Sequence, residues 1–155
     1  MSENTKLGVM KRAIQHTSSA AIFAIGAELS RRGYDVTFTL GNTARIDMLC
    51  AVPDSEELFK IQVKGISTAN AFYIDKSFFE GQIQANLFLV VVLVPPSGEE
   101  SPFRFFVLSH DDAVKEFAKM PKTKRDGRPY ENGFGLNWGS VKNYENAWEK
   151  FPILR

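Results

Sequence analysis

Three residues draw attention by type and spacing: Asp47, Gln62 and Lys64. Asp47 interrupts the apolar run Ile46-Asp47-Met48-Leu49-Cys50-Ala51-Val52. Gln62 and Lys64 alternate with Phe59, Ile61 and Val63 in Leu58 to Gly65, so their side chains leave the same face of a strand. One hairpin would bring Asp47 beside both. A carboxylate, an amide oxygen and an ammonium would then converge. Oxygen donors of this kind suit a hard cation, and a neighbouring positive charge suits a phosphate. The same residues also fit a structural ion pair between Asp47 and Lys64, which is equally an expectation for a strand acid and a nearby lysine.

The elements that must position these residues follow from the hydrophobic pattern. Thr17-Ser18-Ser19 offers N-cap chemistry ahead of an Ala-rich stretch, after a polar lead-in of residues 1–16. Ile22, Ile25 and Leu29 recur at helical spacing, and Gly33 stands where a left-handed helix terminator belongs, after Arg31 and Arg32. From Tyr34 the period changes to two. Tyr34 to Leu40, Ile46 to Val52 and Leu58 to Gly65 read as strands, with a turn at Gly41-Asn42. Short links between them predict an antiparallel meander. Phe72 to Ile74 allows a short strand, and Ser77 to Ala85 fits neither template.

Leu87 to Val94 is continuous and β-branched, the pattern of a strand covered on both faces. Phe103 to Leu108 is the next strand, and Ser109 caps a helix from His110 to Lys119. The tail returns to helical patterning around Tyr144, Trp148 and Phe151. The fold class expected is α/β, a mixed central β-sheet flanked by α-helices.

At these residues a family resemblance enters. Ala27-Glu28-Leu29-Ser30-Arg31-Arg32-Gly33-Tyr34, Leu40-Gly41-Asn42-Thr43, Ile46-Asp47 and Ile61-Gln62-Val63-Lys64 resemble the PD-(D/E)XK nuclease superfamily, in an uncharacterised subgroup with a Gln-x-Lys motif. The resemblance implies a restriction-endonuclease-like domain over residues 1–155 that hydrolyses phosphodiesters, DNA first. It implies that Asp47 binds Mg²⁺ or Mn²⁺, with the Gln62 side chain and the Val63 carbonyl as further ligands. Lys64 would orient the attacking water and stabilise the developing charge.

The family's helix acid has no counterpart: its place falls near Ile22 and Phe23, both apolar. Glu28 lies six residues from Ile22, and at about 100° per residue it points elsewhere. An ion pair with Arg31 or Arg32 is its plainer role. The site then holds one secure carboxylate, which keeps open a catalytically inactive member of the fold that binds nucleic acid or a protein partner. A protein-interaction module is a further reading. A homodimer is expected only by analogy with small nucleases that pair to cut two strands.

Composition sets the remaining bounds. The chain has 155 residues, 44% hydrophobic and 24% charged, as in ordinary globular proteins, with a net charge of +1. A uniformly basic nucleic-acid coat is excluded, so contact with a polyanion requires a local patch. Lys119, Lys122, Lys124, Arg125 and Arg128, set against Asp126, supply one in a loop over residues 119–132; Arg45 could add a phosphate contact. A solvated loop is the plain alternative. A lone cysteine, Cys50, excludes an internal disulfide and reads as a buried small hydrophobe. No apolar run approaches the roughly 20 residues needed to span a bilayer, and the start lacks a signal-peptide core, so a cytoplasmic location is expected. His16 and His110 have no ligand-spaced partner, and Trp138 and Trp148 read as packing anchors.

Overall fold

In the computed structural model, residues 3–39, 46–129 and 135–155 are described, with side chains from residue 14 onward. The first element, α1, runs unbroken over Glu3–Arg32. The lead-in of residues 1–16 is therefore helical from Glu3, and Thr17-Ser18-Ser19 lies inside the helix instead of capping it. Three hydroxyl residues do not stop a helix when its apolar stripe continues and tertiary packing holds it. That stripe is Ala21, Ile25 and Leu29, all fully buried, with Ile22 at its margin. Gly33, at φ 103°, ends α1: the Gly33 N–H donates to the Ser30 carbonyl and the Tyr34 N–H to the Leu29 carbonyl, a Schellman closure.

Five strands follow in the order β1 to β5 across one sheet: β1 Asp35–Phe38, β2 Met48–Ala51, β3 Leu58–Ile66, β4 Leu87–Leu93 and β5 Arg104–Ser109. β1, β2 and β3 form the expected antiparallel meander. β3 and β4 are parallel, and β4 and β5 antiparallel, so the sheet is mixed. The parallel step needs a crossover. It passes through a 3₁₀ turn at Lys76–Phe78, and Phe78 packs on the sheet together with the flanking Ile74 and Phe79. The short strand expected at Phe72 to Ile74 is only a single bridge, Phe72 to Leu136, because that segment belongs to the crossover.

One face of the sheet carries α1, packed on Met48, Cys50, Phe59, Ile61, Phe88, Val90 and Val92. The other carries the crossover and α2, His110–Ala118, over Leu87, Leu89, Val91, Phe106 and Leu108. Burial of β4 from Leu87 through Val92 follows from this double cover. The Ser109 side chain accepts from the Asp112 N–H and the Asp112 carboxylate from the Ser109 N–H, a reciprocal cap for α2.

The helical patterning expected around Tyr144 and Trp148 takes the form of short pieces: α3, Trp138–Val141, and two 3₁₀ turns, Lys142–Tyr144 and Trp148–Lys150. Phe106 bridges Glu145, so the tail covers the outer edge of β5 and carries Trp148 and Phe151 round to the α1 face. The architecture is the expected mixed sheet with helices on its faces. No helix among the described residues is long and apolar enough to cross a membrane.

Candidate functional site

The β2–β3 ladder pairs Met48 with Ile61. One further step along that register sets Asp47 opposite Gln62. Asp47 remains tied into the sheet: its N–H donates to the Ile61 carbonyl at 2.9 Å, and its carbonyl accepts from the Thr39 N–H at 3.0 Å. Its carboxylate turns to the next strand, where Oδ2 accepts from the Val63 N–H at 2.7 Å.

Val63, Ile61 and Phe59 point into the α1-side core. By strand alternation, Gln62 and Lys64 leave the opposite face. The spacing-based juxtaposition is thus realised in the backbone, with Asp47 clamped beside the Gln62-Val63-Lys64 stretch.

The electrostatics are those of poorly solvated charges. Burial pushes the Asp47 carboxyl above its ordinary pKa, and the Val63 N–H pulls it partly back. Burial lowers the Lys64 ammonium. Among the described residues no ion pair joins them, so the structural-pair alternative does not describe this site. The Gln62 Oε1 is buried without a hydrogen-bond partner, the one such side-chain atom among the described residues. A buried acceptor left unmatched costs about 1–3 kcal/mol, so its presence beside a desolvated carboxylate calls for an electropositive ligand.

That donor set fits a hard cation: carboxylate oxygen from Asp47 and amide oxygen from Gln62, with Lys64 adjacent. It is sparse. No group of three or more His, Cys, Asp or Glu residues able to hold a metal occurs among the described residues. Glu28 is occupied elsewhere. Its carboxylate takes two bonds from Arg31, at 2.7 and 3.0 Å, and one from Arg32 at 2.8 Å. The Arg31 hydrogen bond holds its pKa down against the opposing effect of burial, with Arg32 adding to the lowering.

The place near Ile22 and Phe23 is not the part of α1 beside Lys64. Ile22 packs against the core, and Phe23 is 66% exposed with its ring edge-on to Phe38. The α1 residues lining the space beside Lys64 are Ile14, Thr17 and Ser18. Spacing did not reveal this because helix and strand cross where Gly65 permits. A Cβ at Gly65 would lie 2.7 Å from the Thr17 carbonyl oxygen and 2.9 Å from the Ala21 Cβ. Between this stretch of α1 and residues 64–73 lies a cleft of about 330 Å³, walled in part by Thr68, Phe72 and Tyr73. The hydroxyl run Thr17-Ser18-Ser19, read as a helix cap, and Tyr73 in the short strand expected at Phe72 to Ile74 were its sequence signals.

Residues 121–129 of the basic loop are exposed. Thr123 bridges Pro129, and the Lys124 N–H donates to the Arg128 carbonyl at 2.8 Å, so the segment is a small hairpin. Arg128 pairs with Asp126 at 2.6 Å, and Lys119 with Glu116 at 3.0 Å. Lys122, Lys124 and Arg125 project from the same hairpin and are exposed. Leu136, shortly after the loop, bridges Phe72 in the cleft wall. Arg45 lies outside the described residues, as does the Gly41-Asn42 turn.

His110 is the buried first residue of α2. Its Nδ1 accepts from the Gln84 N–H at 2.9 Å and its Nε2 donates to the Phe78 carbonyl at 2.7 Å, which pins the crossover to the helix. Trp148 stacks under Arg32, with the guanidinium 4.0 Å from the ring centre, and packs beside Phe151. Cys50 is buried, and burial pushes its thiol up to about 12.

No protein-family model matches the chain, and no curated protein matches it. Among solved structures, that of a bacterial homing endonuclease, I-Ssp6803I, is similar to this chain over 87% of its length and 89% of the other's, with 20% identity and a TM-score of 0.47.

Proposed function

We propose that the protein is a nuclease-type phosphodiesterase acting on nucleic acid, DNA first, through a site built on Asp47, Gln62, Val63 and Lys64. The observation that carries this reading is the orphaned Gln62 Oε1 beside a desolvated Asp47 carboxylate and a half-buried Lys64. Groups kept in this costly state are characteristic of reactive sites. Asp47, the Gln62 Oε1 and the Val63 carbonyl would hold Mg²⁺ or Mn²⁺, which typically needs only one or two carboxylates and completes its shell with water and phosphate.

Such an ion supplies Lewis-acid polarisation of a phosphoryl oxygen and a more acidic water. The Val63 N–H fixes the orientation of Asp47. Lys64 holds a phosphate oxygen and offsets the charge that accumulates there in the transition state. Lys122, Lys124 and Arg125 contribute phosphate contacts that position the strand without reading its sequence.

A second reading, a nucleic-acid-binding protein of this fold without hydrolytic activity, is favoured by the lone carboxylate and by the commitment of Glu28 to Arg31 and Arg32.

The test is cleavage of plasmid, single-stranded and branched DNA with Mg²⁺ or Mn²⁺, beside Asp47→Ala and Lys64→Ala. Loss of cleavage in both variants supports the first reading. Cleavage that survives both removes the site. Salt-sensitive binding without cleavage by the unmodified protein selects the second.

A further inference from the structure

We infer that the cleft beside Lys64 is a subsite for one unpaired nucleotide of the bound strand, with Tyr73 as the stacking platform for its base. The inference rests on the nucleic-acid reading of the Asp47–Lys64 site and extends it from the phosphate to the base.

Three observations carry it. First, the position: Gln62 to Ile66 continue β3 beyond its ladder with β2, and the cleft opens beside this overhang. Lys64 is both a member of the proposed site and part of the cleft lining. The Lys64 side chain leaves the face away from α1 but the residue borders the cleft, so a strand whose phosphate it holds runs on past the cleft mouth.

Second, the size: about 330 Å³ lies at the small end of ligand pockets. That is room for one nucleoside, which suits an unpaired base from a single strand, a frayed end or an extruded position.

Third, the lining: Tyr73 is 50% exposed although it is a large aromatic residue. Ser18 and Thr68 supply hydroxyls suited to sugar, phosphate or base edges. An aromatic face with hydroxyls and one cation is the combination that binds single strands with little sequence preference. No other described element covers the tyrosine enough to make it a core residue.

The test is equilibrium binding in EDTA, so that no hydrolysis is required. The probes are a single-stranded oligonucleotide carrying 2-aminopurine, the same sequence as a blunt duplex, and adenosine monophosphate. The expected result is tighter binding of the single strand than of the duplex, with quenching of 2-aminopurine fluorescence on binding. Tyr73→Ala should weaken single-strand binding about ten-fold and abolish the quench, while Tyr73→Phe keeps both.

Circular dichroism confirms that these exposed-site variants fold. Single-strand binding unchanged in Tyr73→Ala overturns the subsite and leaves the Asp47–Lys64 site standing. Equal affinity for duplex and single strand without quenching does the same. Adenosine monophosphate binding as tightly as the oligonucleotide overturns the polymer assignment. Absence of binding to every probe overturns both this inference and the reading beneath it.

Discussion

The Asp47 carboxylate is held by the backbone of the neighbouring strand, Oδ2 to the Val63 N–H at 2.7 Å, and by no cation among the described residues. This arrangement orients the acid without neutralising it. It separates what Asp47 does for the fold from what its charge does for a ligand. Asp47→Asn should keep the hydrogen bond, since an amide oxygen can accept from the Val63 N–H.

Burial raises the Asp47 pKa, so its contribution to stability is fully present below the ordinary carboxyl range and is lost as pH rises through the raised folded value. At neutral pH the charged form is a liability. Asp47→Asn should therefore match or exceed the parent in stability at pH 7 by up to about 1 kcal/mol, with the advantage shrinking toward pH 4. Cleavage should fall on the order of 100-fold or more. Urea unfolding at the two pH values, beside plasmid nicking, checks both halves. A clear loss of stability at pH 7 would mean that the carboxylate serves the fold.

Lys64 carries the opposite sign. Burial depresses its pKa, so its contribution to stability is present above the ordinary lysine value and is lost as pH falls through the depressed folded value. At neutral pH the ammonium is held at a cost. Lys64→Met should stabilise the protein modestly and abolish cleavage, a trade common at active sites. If the cation is needed, the alkaline limb of the pH–rate profile reports its loss. Lys64→Arg, whose guanidinium does not deprotonate, should move that limb upward while lowering the maximum rate. An unchanged limb would place the titration on another group.

Much of the frame was legible because period and burial agree. Leu87 to Val92 could be read as a doubly covered strand from its unbroken apolar run, and Ser109 announced α2 through a cap that depends only on local atoms. The Asp47–Gln62 juxtaposition was legible for the same reason, because a short hairpin fixes register. Features set by contacts between distant segments were not. The continuity of α1 through Thr17-Ser18-Ser19 depends on packing that local cap chemistry does not encode. The cleft depends on where α1 crosses β3, and on a crossover segment without periodicity that brings Tyr73 and Phe72 to the Lys64 end. The orphaned Gln62 Oε1 depends on which groups fail to reach it once the chain has folded, and no spacing encodes that.

The basic hairpin makes a prediction about salt. Removing one phosphate-binding cation lowers the slope of log affinity against log salt by about 1. Alanine at Lys122 and Arg125 together should flatten the slope and weaken binding to all sequences alike. Arg128→Ala should matter less, because Asp126 already holds that guanidinium at 2.6 Å. Filter binding between roughly 50 and 200 mM salt would expose the difference. Identical slopes for the double variant and the parent would make the hairpin a solvated loop.

Gly65 is where fold and site meet. Its missing Cβ lets α1 rest directly on β3, and the contact is partly with backbone, the Thr17 carbonyl oxygen at 2.7 Å from the ideal Cβ position. Gly65→Ala must therefore move the helix, because a carbonyl cannot adopt another rotamer. Overpacking of this kind costs about 1–3 kcal/mol. The displacement falls on the stretch of α1 bearing Thr17 and Ser18, so the cleft should change shape as stability falls.

Removing the second obstacle with Ala21→Gly relieves the Cβ contact at 2.9 Å but leaves the carbonyl in place. The double variant should thus recover only part of the loss, and a helix-interior glycine costs about 1 kcal/mol of its own. Thermal unfolding of the parent, the two single variants and the double variant forms a closed cycle. Full recovery in the double variant would show that side-chain crowding alone sets the helix–strand distance. Partial recovery, together with weakened single-strand binding in both Gly65→Ala backgrounds, would show that the backbone approach at Gly65 holds the cleft in shape.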